Sequence, residues 1–411
     1  MTAVKRFFGA HRVFFALFGF LLAYELLIGN HLAPWRVNEH FFVFFTVDYS
    51  LGFCSKLLPG AVFRWIFKGS DPAAATVCSV ILIALILAGV CLLLEKLLKK
   101  TARENRFACL GVILLLITGP ASFSLFVTWL GVIDVYWIVS CMAFFILLSR
   151  KQLYFLIPPV LVSCVFVHYG AMLCYVPMML VMLLVKTVFT EEKGERKLLW
   201  AVFWVGAAAA AGSTLYFMLF EQKNLTYPVE EFDRIVQERG AKYTYYFDYN
   251  FYKTALGADG ASFNDYINAA SSLPGRLVRT VISQVRVTLA LRMRSESLRD
   301  FAVALAVLLP AAVALIAVLL RCARDKTLPV LRRLVYVLPP LLFIGTFTLS
   351  ILFSSDEFRW LTHSFLPLCA SFLFLAYYDG ERLWTAARRY MPSAPVFAAY
   401  YILYAALAFA G

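Results

Sequence analysis

Residues 76–95 read TVCSVILIALILAGVCLLLE, nineteen uncharged residues before the first charge at Glu95. Coiled as an α-helix at about 1.5 Å per residue, such a run is about 30 Å long, the thickness of a bilayer's hydrocarbon core. Ten further runs of this kind lie near 13–30, 107–125, 132–148, 153–168, 170–187, 199–219, 300–320, 334–353, 359–378 and 393–410. The chain therefore reads as an all-α polytopic membrane protein, a single membrane domain over 1–411 with about 11 transmembrane helices. Its composition agrees: 62% of residues are hydrophobic and 15% charged, where a soluble domain is nearer half and a quarter. A soluble protein with a formal charge of +13 would point to nucleic acid. Here the excess is explained by basic loops at the membrane surface, and no nucleic-acid partner is expected.

Placing the N-terminus inside puts 22 of the 38 Lys and Arg into the short segments 1–12, 95–106, 149–152, 186–198, 321–333 and 379–390. Fifteen of the other 16 are spread over two long loops, a first external loop at 31–75 and a second at 221–299. Long translocated loops weigh little in the positive-inside bias, so the arrangement predicts Gly69, Lys242 and His168 outside and Lys100 and Lys326 inside a cell's inner (plasma) membrane. Met1–Arg12 is basic like a signal peptide, but no small-x-small cleavage site follows the apolar run, so a retained helix is expected. The nine cysteines fall mostly in spans, with no spacing for zinc or for a disulfide framework. Walker A, GxGxxG and internal-repeat signatures are absent.

With the spans acting mainly as scaffold, ionisable groups gathered at one face carry the functional signal. The first external loop holds Glu39, His40 and Asp48, then Lys56 and the run to Lys68. There Leu57, Leu58, Val62, Phe63, Ile66 and Phe67 recur at helical spacing, which predicts a helix lying in the interface plane. It either caps the bundle or holds Asp48 at the head-group level. Asp134, in the apolar turn WLGVIDVYW, could cap the helix that follows or serve a site. His168 lies on the same side, as a packing residue or a ligand-facing one. Asp356 and Arg359, three apart in SSDEFRW, could pair with each other, or the arginine could take a phosphate. In the long loop, Leu277, Val281, Val285 and Leu289 recur among Arg276, Arg279, Arg286, Arg292 and Arg294. That pattern predicts a second interfacial helix, suited to anionic membrane lipids or to a lipid phosphate.

An acidic residue and an interfacial helix in a long first external loop, an acid in the second external turn and a long external loop after span seven together resemble the GT-C glycosyltransferases. These are integral-membrane enzymes that use polyprenyl-phosphate-linked sugars, and the resemblance covers the layout of about the first 300 residues. It implies Asp48 as base or metal ligand, Asp134 as the second acid, and Arg359, Arg276 or Arg279 on the carrier phosphate. Glu39, His40, Lys56, His168 and Asp356, gathered on the same side, are the further candidates for contact with the substrate. Any divalent cation would fall to Asp48 and Asp134. Asp48 is flanked by Val47 and Tyr49 rather than a second acid, and no soluble C-terminal domain follows the spans. The chemistry fits the layout, since transfer from a lipid phosphate needs a carboxylate for the acceptor hydroxyl and cations for the leaving phosphate. A polysaccharide polymerase or O-antigen-ligase-like enzyme, and a transporter or lipid flippase, are the other classes open. Against a transporter, the acidic residue within a span, Glu25, sits toward one end of it.

Overall fold

The computed structural model describes residues 9–29, 35–119, 122–220, 224–243, 296–353, 357–390 and 392–406, with isolated positions between 272 and 285. The described residues are 82% helix, and no strand forms among them. In chain order the helices are α1 (Arg12–Tyr24), α2 (Glu39–Thr46), α3 (Leu58–Phe67), α4 (Pro72–Lys100), α5 (Arg106–Ile117), α6 (Ser124–Thr128), α7 (Val135–Leu148) and α8 (Ile157–Val167). They continue as α9 (Tyr175–Phe189), α10 (Lys193–Phe220), α11 (Val229–Glu238), α12 (Glu296–Ala323), α13 (Val330–Phe353), α14 (Glu357–Ala387) and α15 (Ala394–Ala406).

Among the described residues, five helices are long and apolar enough to cross a membrane: α4, α10, Leu305–Ala323 of α12, Val330–Ser350 of α13 and Arg359–Ala387 of α14. Apolar helices of that length mark a membrane protein. The other predicted spans are shorter. α5, α7, α8 and α9 have 12, 14, 11 and 15 residues, so each is at most about 23 Å long. The run predicted at 107–125 is continuous in hydropathy but broken in backbone, since α5 ends at Ile117 and only the five-residue α6 follows.

Local chemistry sets the ends of α4, the most apolar of the five long helices. Asp71 caps α4 by accepting from the amides of Ala73 and Ala74 at 3.0 and 3.3 Å, with Pro72 in the first turn. Lys99 and Lys100 close it, favourably placed against the helix dipole. Along its outer face Val77, Ile81 and Leu85 form an exposed apolar stripe at four-residue spacing. α14 is the hub. It packs against α5, α9, α12 and α13, and 78% of its apolar window is buried, against 28–44% for the other four long helices. Most residues carried by α14 are therefore in the interior, and two on its first turns, Arg359 and His363, build the site described next.

Candidate functional site

The ionisable residues singled out above separate into two clusters at one end of the bundle. The first is built on the loop 35–70. Asn38 starts α2 by accepting from the His40 amide at 2.9 Å, and Asp48 starts the short turn Tyr49–Leu51 by accepting from the Ser50 amide at 3.0 Å. The other Asp48 oxygen, Oδ2, lies 2.7 Å from Arg64 Nε on α3 and 3.3 Å from Arg239 Nη1 just beyond α11. The same two arginines converge on the carbonyl of Thr46, Arg239 at 3.0 Å and Arg64 at 3.3 Å. Burial pushes the Asp48 carboxyl up, but the Ser50 hydroxyl and amide and the charges of Arg239 and Arg64 outweigh it, and its pKa falls below the usual carboxylate value.

This clamp joins the loop 35–70 to the long loop that begins after α10. Gly52 pairs with Leu225 in an isolated antiparallel bridge, Phe53 donates its amide to the Asn224 carbonyl at 3.0 Å, and Thr226 donates to Leu51 at 3.0 Å. Gly52 is at φ +143°, and a Cβ there would lie 2.5 Å from the Asn224 carbonyl oxygen, so the close approach requires glycine. Farther along, Lys242 reaches Glu39 at 2.6 Å and Tyr243 stacks on His40 with ring centroids 3.8 Å apart. Glu39 and His40 are thus docking points between the two loops. Asn224, in the sequence pattern of a glycan acceptor, uses its side-chain amide on Phe53 and Tyr216.

The second cluster is interior. Asp134 is fully buried, sits at the start of α7 and makes no capping bond to it. Arg359 grips it with two bonds, from Nε to Oδ2 and from Nη2 to Oδ1 at 2.8 Å. His363 Nε2 lies 2.9 Å from Oδ2, and its Nδ1 lies 3.0 Å from the Tyr175 hydroxyl on α9. The capping reading of Asp134 is therefore replaced by a buried Arg–Asp–His–Tyr chain tying α14 to α7 and α9. His168 faces Trp137 edge-on at 5.7 Å and caps its own turn through Gly170 N at 2.8 Å. Arg359, Asp134, His363 and Lys56 are all within electrostatic reach of it. Lys56 adopts φ +69°, with its amide on the Phe166 carbonyl at 3.0 Å, which places it between the two clusters.

Asp356 and Arg276 lie outside the described residues, as do most of the predicted helix around Arg279 and the tyrosine-rich run after Tyr243. Arg279 itself is helical and half-buried. Asp48 and Asp134 are not brought onto one another. Each has its oxygens occupied by protein donors, and among the described residues no three His, Cys, Asp or Glu side chains group closely enough to hold a metal. None of the nine cysteines is in a disulfide. Sequence reasoning missed Arg239, His363 and Tyr175 as partners. His363 stands four residues after Arg359, on the same helix face, a spacing that could have paired them.

No family model matches the chain, and neither a curated protein nor a solved structure is similar to it. Fold and site together define a class: an all-helical membrane protein with a carboxylate–arginine clamp between two loops and a buried ionic chain beneath it.

Proposed function

We propose that this chain is a multi-pass glycosyltransferase of the inner (plasma) membrane, with its N-terminus inside and its two long loops outside. It transfers a sugar from a polyprenyl-phosphate-linked donor to an acceptor on the extracytoplasmic side. One observation carries the reading: Asp48 is held between two half-buried arginines, Arg239 and Arg64, the second on a helix whose Val62, Trp65, Ile66 and Phe67 are exposed. An apolar face beside paired guanidinium groups suits a phosphate carried on a lipid, because guanidinium forks match phosphate oxygens.

The chemistry balances on these groups. The donor phosphate takes Arg64 and Arg239 from Asp48, which removes the charges that depress its basicity. The acceptor hydroxyl oxygen bonds to the anomeric carbon as the bond from that carbon to the carrier phosphate breaks. The hydroxyl proton passes to Asp48, and the polyprenyl phosphate leaves with its charge on the two arginines. Arg359, committed in both directions to buried Asp134, serves this reading as a positioning residue rather than a phosphate ligand.

Binding of a polyprenyl phosphate to the purified protein tests it. Arg64→Lys and Arg239→Lys keep charge but lose the fork, and each should weaken binding at least several-fold. Unchanged affinity in both would remove the phosphate from this site. One observation favours a transporter instead: Glu25 is fully buried in the π-turn Glu25–Gly29, with Oε1 3.3 Å from Ser124 and Oε2 without a hydrogen-bond partner among the described residues. Substrate-dependent proton uptake into vesicles that Glu25→Gln abolishes would favour that reading.

A further inference from the structure

A cavity of about 380 Å³ runs along the bundle between α4, α7, α9 and α14, within the range of small-ligand sites. Its walls are apolar, formed by side chains such as Leu94, Met142, Phe145, Met178, Leu373 and Phe374. The lining extends from Tyr175 to Lys186 on α9 and from Leu366 to Tyr378 on α14. At about 1.5 Å per residue the slot is roughly 17 Å long. Half of a hydrocarbon core of about 30 Å is about 15 Å, so the slot matches one leaflet rather than the whole bilayer.

Its two ends differ in chemistry. The deep end is Tyr175, whose hydroxyl is 3.0 Å from His363. The other end is basic. Lys186 lies there with its ammonium on the Leu148 carbonyl at 2.8 Å and 3.8 Å from Glu195. The Lys100 ammonium lies 3.9 Å above the ring of Tyr377, which lines the mouth. Lys96, also at the mouth, is exposed and has no hydrogen bond or ion pair among the described residues. An apolar slot one leaflet deep, with an uncompensated ammonium at its rim, is complementary to a lipid that has one acyl chain to bury and a negative phosphate to leave at the surface.

We propose that this slot is a binding site for one anionic phospholipid, drawn from the leaflet at the lysine-rich end, with an acyl chain between α4, α7, α9 and α14 and its phosphate at Lys96 and Lys100. A polyprenyl tail is too long for a slot of this depth, and a zwitterionic head group would leave the lysines without net compensation. Which leaflet this is follows from the topology proposed above; the binding does not depend on it. The site is distinct from the Asp48 clamp, and among the described residues it meets the buried ionic chain at Tyr175.

The full chain, delipidated in detergent, would be titrated with phosphatidylglycerol or phosphatidylcholine of the same acyl chains and read by native mass spectrometry. Wild type should retain one phosphatidylglycerol in preference to phosphatidylcholine. Lys96→Gln, at an exposed position that does not threaten folding, should cut that preference about fivefold. Ala370→Leu, which puts a larger side chain into the slot, should reduce retention of both lipids. Equal retention of the two lipids by wild type would overturn the proposal. So would a preference that survives both substitutions, because the lipid would then sit elsewhere on the surface.

Discussion

Asp48 is where two opposing effects meet: burial favours its neutral form, and Ser50, Arg239 and Arg64 favour its anion and win. A carboxylate with a depressed folded pKa contributes stability that is present above its ordinary value, about 3.9, and lost as pH falls through the folded one. Protease sensitivity of the segment 224–243 should therefore be flat from pH 8 to about pH 5 and rise only below about pH 4, while Asp48→Asn should make it sensitive throughout; a rise already at pH 6 would mean other groups hold the clamp. Asp134 lives under a harsher rule. Removing its charge by Asp134→Asn leaves Arg359 facing an interior without compensation, a loss of about 3–5 kcal/mol that would appear as a lower melting temperature and poor yield. The double variant Asp134→Asn/Arg359→Met should be milder than the sum of the two singles, and strict additivity would argue against direct coupling. Both acids and Arg359 were legible in the sequence as charges at one end of apolar runs. Their partners were less so. Asp134 lies 225 residues from Arg359, beyond the reach of any local pattern, and Arg239 carries no local sign that distinguishes it from the other basic residues of its loop.

At the level of elements, the clamp depends on how closely α3 approaches the end of α2. Gly60 makes that approach possible, because a Cβ there would run into the carbonyl oxygens of Phe44 and Val47, which are backbone and cannot swing aside. Gly60→Ala should push α3 away, separate Arg64 from Asp48 and cost about 1–3 kcal/mol, with a matching loss of polyprenyl phosphate affinity if Arg64 holds the phosphate. Normal affinity and stability in Gly60→Ala would show that α3 docks less tightly than the carbonyl contacts demand. The α3 helix itself was readable from its spacing, and Leu58–Phe67 spans the apolar residues that recur there from Leu58 on. The interior helices were readable as apolar but not as short. Hydropathy sums side chains over a window and does not register a backbone break such as the one at Thr118–Gly119, where φ reaches +93° at the glycine.

For the whole molecule, sidedness decides what every cluster can meet. Single cysteines at Lys242 and Gly69 should label with an impermeant reagent from outside, and those at Lys100 and Lys326 only after the membrane is opened; labelling of position 242 from the cytoplasm would invert the topology and put the clamp on the wrong side for an extracytoplasmic acceptor. The distribution of Lys and Arg made this expectation available without any structure, since it follows from loop charge alone. The joining of the two long loops into one platform was not available, because it rests on a two-residue bridge and a few long-range ion pairs with no periodic signature. In the function proposed above, this platform performs sugar transfer at Asp48. The most direct measurement is release of polyprenyl phosphate from a polyprenyl-phosphate-linked sugar by purified wild type and Asp48→Asn, each compared per folded molecule. Transfer by wild type that falls about 100-fold or more in Asp48→Asn, with polyprenyl phosphate still bound, is the predicted result. Transfer by Asp48→Asn within a few-fold of wild type would contradict it and leave Asp48 as a clamp between loops and nothing more.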